Sequence, residues 1–457
     1  MSLSTFDFNS TIAATPDEVF AWHDRDGAFE RLMPPWERMR VIERSGGIRD
    51  GGRLVFELRK WPTWIRWEAR HSGYVAGEQF VDEQIRGPMA AWRHTHRVVA
   101  AGRQTRLEDH IEYKLPLGSV GAALGGAMTR AMLQKMFTWR HRRTTCDVLR
   151  HQPYIDHGPQ RIVIAGASGL VGSALGAFLT TGGHDVRRLV RGKARGGDEI
   201  AWDPAAGRID ADALENCDAV IHLGGVSIAQ RFTDGHKHAV RASRVQSTTL
   251  LAQTIAKLRH KPRVFVCASA VGFYGNRGDE MLTEESAAGG GFLPDVCREW
   301  EDATHAASAA DVRTVNVRIG IVMTPLGGAL QQMLPPFRFG VGGVVGSGRQ
   351  YMSWIGLDDL IGVIHFSLFA ETLRGPVNAT GPQPATNREF THALGRVLRR
   401  PTILPLPAFA VRAVFGEMGE ALLLGGNRAV PRKLEQAGFR FLCPTLDETL
   451  RWELGVV

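Results

Sequence analysis

One segment constrains this chain more than any other. An apolar, β-branched run at residues 161–165 passes directly into Gly166-Ala167-Ser168-Gly169-Leu170-Val171-Gly172, and an apolar helical stretch follows over 170–181. Glycines at this spacing let the backbone turn tightly and let a ligand approach the main chain. A helix that begins there presents unpaired N–H groups and the positive end of its dipole. The pattern predicts a pyrophosphate cradle formed by Gly166, Ser168, Gly169, Leu170, Val171 and Gly172. Further short β-rich runs lie at 185–190, 219–223, 263–268 and 314–319, with helical stretches between many of them. Such alternation implies a parallel sheet covered on both faces.

The end of the second run indicates which dinucleotide fits. An acidic residue about 20 residues beyond the glycines would grip a ribose 2′-hydroxyl. Here the run ends Leu189-Val190-Arg191, with Arg187, Arg188, Lys193 and Arg195 nearby and no carboxylate after it until Asp198. A guanidinium suits a 2′-phosphate. The expected cofactor is NADP(H), with Arg191 as the first candidate for the phosphate.

Residues 1–150 carry a different pattern. Phe6, Phe8 and Thr11-Ile12 suggest an opening strand. Thr15-Pro16-Asp17-Glu18 reads as a helix start, with Thr15 as N-cap and Pro16 in the first turn. Alternating segments at 53–58, 65–71, 79–85, 92–99 and 106–113 predict an antiparallel sheet with one face buried. A long helix is expected over 128–149, with Met132, Met136, Phe137 and Trp139 facing inward. The segments 12–20, 32–36, 80–82, 87–88, 92–96 and 115–118 resemble the START-like (SRPBCC, polyketide cyclase/dehydrase) superfamily. That resemblance implies an α+β helix-grip fold and an apolar cavity for a hydrophobic ligand. His94 and His96 alternate on one strand face and could ligate a metal. No third ligand clusters with them in the sequence, so an ordinary strand pair is expected and no metal site.

Residues 151–159, with two prolines and a glycine, read as a linker. The expected domains are therefore 1–150, a linker at 151–159, a doubly wound Rossmann domain at 160–387 and a small helical region at 388–457. Asp218-Ala219-Val220-Ile221-His222-Leu223-Gly224-Gly225 resembles the motif after the third strand of extended short-chain dehydrogenases. It implies that Leu223, Gly224 and Gly225 pass beneath the adenosine, with the Asp218 side supporting the adenine end.

Cys267-Ala268-Ser269-Ala270-Val271-Gly272-Phe273-Tyr274-Gly275 resembles the family strand that ends in the active-site serine, which implies Ser269. The helix that should follow carries Tyr-x-x-x-Lys in that family. Here Cys297 and Glu301 occupy those positions, one helical turn apart. A carboxylate raises a neighbouring acid's pKa where an ammonium would lower it. Cys297 as proton donor, or Tyr274 in its stead, are the candidate acids. Residues 335–343, 346–360, 375–380, 400–401 and 434–441 closely resemble the YfcH-like atypical short-chain dehydrogenase/reductases that end in a DUF1731 tail. This second resemblance spans residues 160–455. Sugar-nucleotide epimerases resemble the chain at Gly346, Gly348 and 354–360, but Met352 stands where they place an arginine for the diphosphate. Arg318 and Arg349 are the remaining candidate anion contacts.

Composition excludes some classes. The formal net charge is +8, but the basic residues are scattered rather than clustered, so no nucleic-acid partner is expected. Five separated cysteines with no C-x-x-C pair argue against a disulfide framework and fit a reducing cytoplasm. No apolar stretch is long enough to span a membrane. An oligomer is left open. The first functional expectation is an NADP(H)-dependent oxidoreductase or epimerase acting on a small carbonyl or alcohol. The second is a non-catalytic NADP(H)-binding regulator coupled to the N-terminal ligand domain.

Overall fold

The alternating pattern of the first 150 residues becomes an antiparallel meander. The computed structural model describes residues 3–60 and 62–456. Among them, β1 (Ser4–Ile12), β2 (Met39–Ser45), β3 (Arg53–Lys60), β4 (Thr63–Val75), β5 (Gln79–Arg86), β6 (Ala91–Ala101) and β7 (Gln104–Lys114) form one sheet in the order β1-β7-β6-β5-β4-β3-β2. In β7, Thr105, Leu107, Asp109, Ile111 and Tyr113 point inward at every second position. That is the period of a strand with one buried face. The strand of this sheet that the sequence reading missed is β2. It is exposed from Arg40 onward and forms by pairing with β3, so no hydrophobic alternation marks it.

Helix α1 (Pro16–Asp24) starts at the expected cap. Thr15 Oγ1 accepts from the Glu18 N–H, and Glu18 accepts from the Thr15 N–H at 2.6 Å, which completes a capping box. A short α2 (Ala28–Leu32) follows. The long α3 (Gly118–His151) begins ten residues before the expected 128, running through the glycine-rich stretch. Its buried face is Leu133, Phe137, His141, Thr144 and Val148, at helical spacing. Phe137 and Trp139 are buried as expected, whereas Met132 is 41% exposed. Leu133 takes the inward place instead, because the buried stripe runs one residue later than Met132.

A second unit begins at Gln160. Its eight-stranded sheet uses β8 (Arg161–Ala165), β9 (Asp185–Arg191), β10 (Glu199–Asp203), β11 (Arg208–Ile209), β12 (Ala219–His222), β13 (Val264–Ala270) and the strands Arg313–Ile319 and Gly375–Ala379. The order is β11-β10-β9-β8-β12-β13, then 313–319, then 375–379. All neighbours are parallel except β10 and β11. Both faces are covered, so the central strands are uninterrupted apolar runs: Ile162, Val163, Ile164 and Val220, Ile221 are 0% exposed. The chain reverses direction of growth between β8 and β12. In doubly wound sheets such a reversal opens a crevice outside the carboxyl ends of the strands, and ligands bind there.

The connections are α4 (Leu170–Thr181), α5 (Asp234–Lys257) and α6 (Phe292–Asp302). The C-terminal helices Asn387–Leu398 and Leu446–Leu454 do not stand apart. Phe390, Leu394 and Leu450 share a core with Met323, Leu334 and Trp354. This is the helical C-terminal region expected from the sequence, built into the second unit. Each unit therefore has its own apolar core. Leu133→Ala leaves a cavity in the first, at a cost of about 2–5 kcal/mol. In calorimetry of the full-length protein this variant should lower one unfolding transition and leave the NADPH-sensitive transition in place. A shift of both by the same amount would show one cooperative unit.

Candidate cofactor and active site

The glycines at the end of β8 are there for two separate reasons. Gly166 turns with φ +84°, and a Cβ on it would stand 2.8 Å from Leu223 C and Gly224 N at the end of β12. A Cβ on Gly172 would stand 2.2 Å from Gly166 O. These two glycines are demanded by chain packing against chain. Gly169 differs: among the described residues its Cβ would meet only Gly166 O, at 3.2 Å. Ser168 and Gly169 are exposed, and the first-turn amides of α4 that follow have no intrahelical acceptors. An exposed glycine turn opening a helix beside the crevice fits a pyrophosphate.

The second loop of the cradle is held by a residue sequence reasoning passed over. His222 is 0% exposed, and burial lowers its pKa to about 3, so the ring is neutral. Its Nδ1 accepts the Gly224 N–H at 3.3 Å. The ring proton is thus on Nε2, 2.7 Å from Ser247 Oγ, which in turn donates to Ser243 O. Leu223, Gly224 and Gly225 are set by this chain of bonds. Asp218 lies at the other end of β12. Its Oδ2 accepts the Arg161 N–H at 2.8 Å. The expectation that its side supports adenine is corrected: it ties the starts of β8 and β12 together, at the edge of the sheet away from the glycines.

The basic cluster after β9 resolves into two groups. Arg187 binds Asp185 at 2.9 Å, and Arg188 binds Asp198 at 2.6 Å. Arg191 is exposed and, among the described residues, has no carboxylate partner. Leu189 pairs with Ala165 across the sheet, so Arg191 stands level with the glycine turn.

At the end of β13, Ser269 is 2% exposed and donates to Glu301 Oε1 at 2.6 Å. Glu301 is also held by Arg318, with Nε 2.8 Å from Oε1 and Nη2 2.8 Å from Oε2. Arg318 Nη1 donates to the Tyr274 hydroxyl at 3.0 Å, and the guanidinium lies 3.5 Å over the Phe273 ring. The arginine is thus fully engaged inside the protein and is not an anion contact. Arg349 is exposed. Met352, in the place of the epimerases' arginine, is buried.

Tyr274 is 0% exposed. Its hydroxyl faces Asn378 Oδ1 at 2.7 Å and Thr283 O at 2.9 Å, and burial raises its pKa. The expectation that Tyr274 substitutes as the acid is corrected: an enclosed, fully bonded hydroxyl supports the scaffold. Cys297 is 5% exposed on α6, and burial, then the Glu301 charge, push its thiol up to about 12. Sequence placed Cys297 and Glu301 on one face. It did not show that Glu301 is countered by Arg318 from a neighbouring strand and bonded to Ser269.

In the N-terminal unit, strand pairing sets Asp82 opposite His94 and Asp109 opposite His96. The histidine pair thus acquires carboxylate neighbours that no local sequence pattern announced.

Three family models match the chain. They are Polyketide cyclase / dehydrase and lipid transport over residues 12–137, the NAD dependent epimerase/dehydratase family over 162–374, and a domain of unknown function, DUF1731, over 406–453. The chain is 47% identical to the epimerase family protein Mb2239 of Mycobacterium bovis, over 63% of this chain and 96% of that protein. A crystal structure described as the nucleoside-diphosphate sugar epimerase from Corynebacterium glutamicum has a TM-score of 0.80 at 33% identity, covering 98% of this chain and 90% of that one. The human epimerase family protein SDR39U1, solved with NADPH, has a TM-score of 0.60 at 33% identity, covering 65% of this chain and 100% of that one. With its glycine cradle, its Rossmann sheet and its C-terminal helices, the chain belongs to this epimerase family, that of the SDR39U1-like proteins.

Proposed function

We propose that this protein is an NADP(H)-dependent oxidoreductase or epimerase-type enzyme on a small carbonyl or alcohol, with Ser269 and Glu301 handling the proton. The carrying observation is the 2.6 Å hydrogen bond from Ser269 Oγ to Glu301 at the carboxyl end of β13. The cofactor reading rests on the exposed Gly169 turn, on Arg191, which among the described residues has no carboxylate partner, and on the likeness to the NADPH-bound human protein. When bound, the dinucleotide supplies or accepts the hydride. Gly166, Ser168, Gly169, Leu170, Val171 and Gly172 would hold its pyrophosphate, and Arg191 its 2′-phosphate. Leu223, Gly224 and Gly225 would line the adenosine side.

The proton then has a route through this chain's own groups. Ser269 already donates to Glu301, so its oxygen presents lone pairs to a substrate hydroxyl. A proton leaving that hydroxyl passes to Ser269 Oγ as the serine proton passes to Glu301. In the reductive direction the same two transfers run backwards. A serine–carboxylate relay needs no depressed tyrosine pKa, which is the task of the absent lysine. A sugar diphosphate is disfavoured, because Arg318 is committed internally and Met352 offers no charge.

Four outcomes follow. Calorimetry should show NADPH binding more tightly than NADH, with Arg191→Ala narrowing the gap. One charged contact to phosphate is worth about 1.5–3 kcal/mol, and equal affinities in the wild type would refute the phosphate assignment. In a screen of small carbonyls for NADPH oxidation, Ser269→Ala should lower turnover by about 10²–10³ with NADPH affinity kept, and Glu301→Gln should lower it as much while also lowering the melting temperature, because it breaks the buried pair with Arg318. Near-wild-type rates in both would eliminate the relay, and tight NADPH binding with no turnover across the screen would favour a binding regulator. Cys297→Ser should retain most of the rate. At pH 8 the Cys297 thiol should alkylate on the order of 10³-fold more slowly than a free thiol, since it remains protonated.

A further inference from the structure

The N-terminal unit holds a second cluster, remote in function from the dinucleotide site. His94 and His96 lie on β6, Asp82 on β5 and Asp109 on β7, all on the inward face, and His141 approaches from α3. Asp82 Oδ2 lies 2.9 Å from His94 Nδ1 and 3.3 Å from His96 Nε2. The other nitrogens of the same rings face Asp109 Oδ1, with His94 Nε2 at 2.7 Å and His96 Nδ1 at 2.6 Å. Asp109 Oδ2 bonds His141 Nε2, and His141 Nδ1 lies 2.7 Å from Ser10 Oγ. Trp92 Nε1 donates to the second oxygen of Asp82.

Counting donors separates two explanations of this arrangement. All four imidazole–carboxylate contacts are hydrogen bonds only if both rings carry two protons. In that state the charges of Asp82 and Asp109 offset the two imidazolium charges, whose ring centroids lie 3.8 Å apart. If each ring carries one proton and donates it to Asp109, every proton has a good acceptor. Two nitrogen lone pairs then converge with an Asp82 oxygen, which is the donor set of a cation site.

We infer that Asp82 Oδ2, His94 Nδ1 and His96 Nε2 form a binding site for a divalent first-row metal ion such as Zn²⁺ or Fe²⁺. The three ligand atoms lie within 4.8 Å of one another. Metal bonds of about 2.0–2.2 Å put neighbouring ligand atoms roughly 3.0–3.5 Å apart, close to the Asp82–histidine separations. Two imidazoles and a carboxylate suit such ions, and three protein ligands leave positions for water or an oxygen-donor ligand. Asp109 is the outer carboxylate that orients both histidines, the partner metal-bound imidazoles almost always have. His141 and Ser10 hold that carboxylate in turn. The Asp82 side chain is 20% exposed, against 3% for His94 and 4% for Asp109, so entry is from the Asp82 side.

The test uses untagged, chelator-treated full-length protein titrated with Co²⁺ and Zn²⁺. One equivalent of Co²⁺ should give d–d absorption that Zn²⁺ abolishes. Asp82→Asn and His96→Ala should each weaken Zn²⁺ binding by 100-fold or more. Asp109→Asn should preserve the one-to-one stoichiometry and weaken binding about 10–100-fold. X-ray absorption at the zinc edge of the wild type should show two imidazoles, oxygen donors and no sulfur, a readout independent of whether any variant folds. No stoichiometric uptake by the wild type, a sulfur or differently composed ligand set, or unchanged affinity in both Asp82→Asn and His96→Ala would overturn the assignment.

Discussion

The second unit is organised around the buried ion pair between Glu301 and Arg318. One guanidinium reaches five groups: both oxygens of Glu301, the Tyr274 hydroxyl, the Glu284 carbonyl and the Phe273 ring. Only a planar fork with several fixed donors can do this. Breaking a buried pair by removing one partner costs about 3–5 kcal/mol, because a charge is left uncompensated. The pair joins the ends of β13, α6 and the strand at 313–319. It therefore fixes the geometry in which Ser269 meets a carboxylate.

That geometry gives the missing lysine a chemical meaning. A tyrosine acid needs a nearby cation to titrate in a useful range. In this chain the nearby cation, Arg318, is bound to the carboxylate that replaces the lysine. Burial, and after it the Glu301 charge, push the Cys297 thiol up, so it remains protonated. The structure thus places a serine, a carboxylate and an arginine, bonded to one another, at this end of β13. The glycine turn needs no such adjustment, because it rests on close approach of backbone to backbone. Gly166 against Leu223 and Gly224 leaves no volume for a side chain.

The N-terminal unit follows the same logic with different groups. Three histidines and two aspartates on its inner face must find partners, since unpaired ionisable groups cannot be buried cheaply. The antiparallel register brings carboxylate to imidazole on adjacent strands, and α3 adds His141 from above.

Local sequence determined the elements whose signals are short-range. The Gly166–Gly172 turn, the Thr15 cap, the alternating strands 53–58 to 106–113 and the absence of an acid after Arg191 were all legible, because each is written within a few residues. Strand β2 was not, since its residues are exposed on both sides and only pairing with β3 creates it. Tertiary structure alone decided that Arg187 and Arg188 pair with carboxylates while Arg191, among the described residues, does not, that Arg318 meets Glu301 across 17 positions of sequence, and that Tyr274 is enclosed. It also decided that Asp82 stands beside His94 and His96. Those facts depend on strand order and register, which bring together residues from separate strands and helices. Hydrophobic periodicity specifies which face of a strand is buried, but not which charged residue will be waiting on the neighbouring strand.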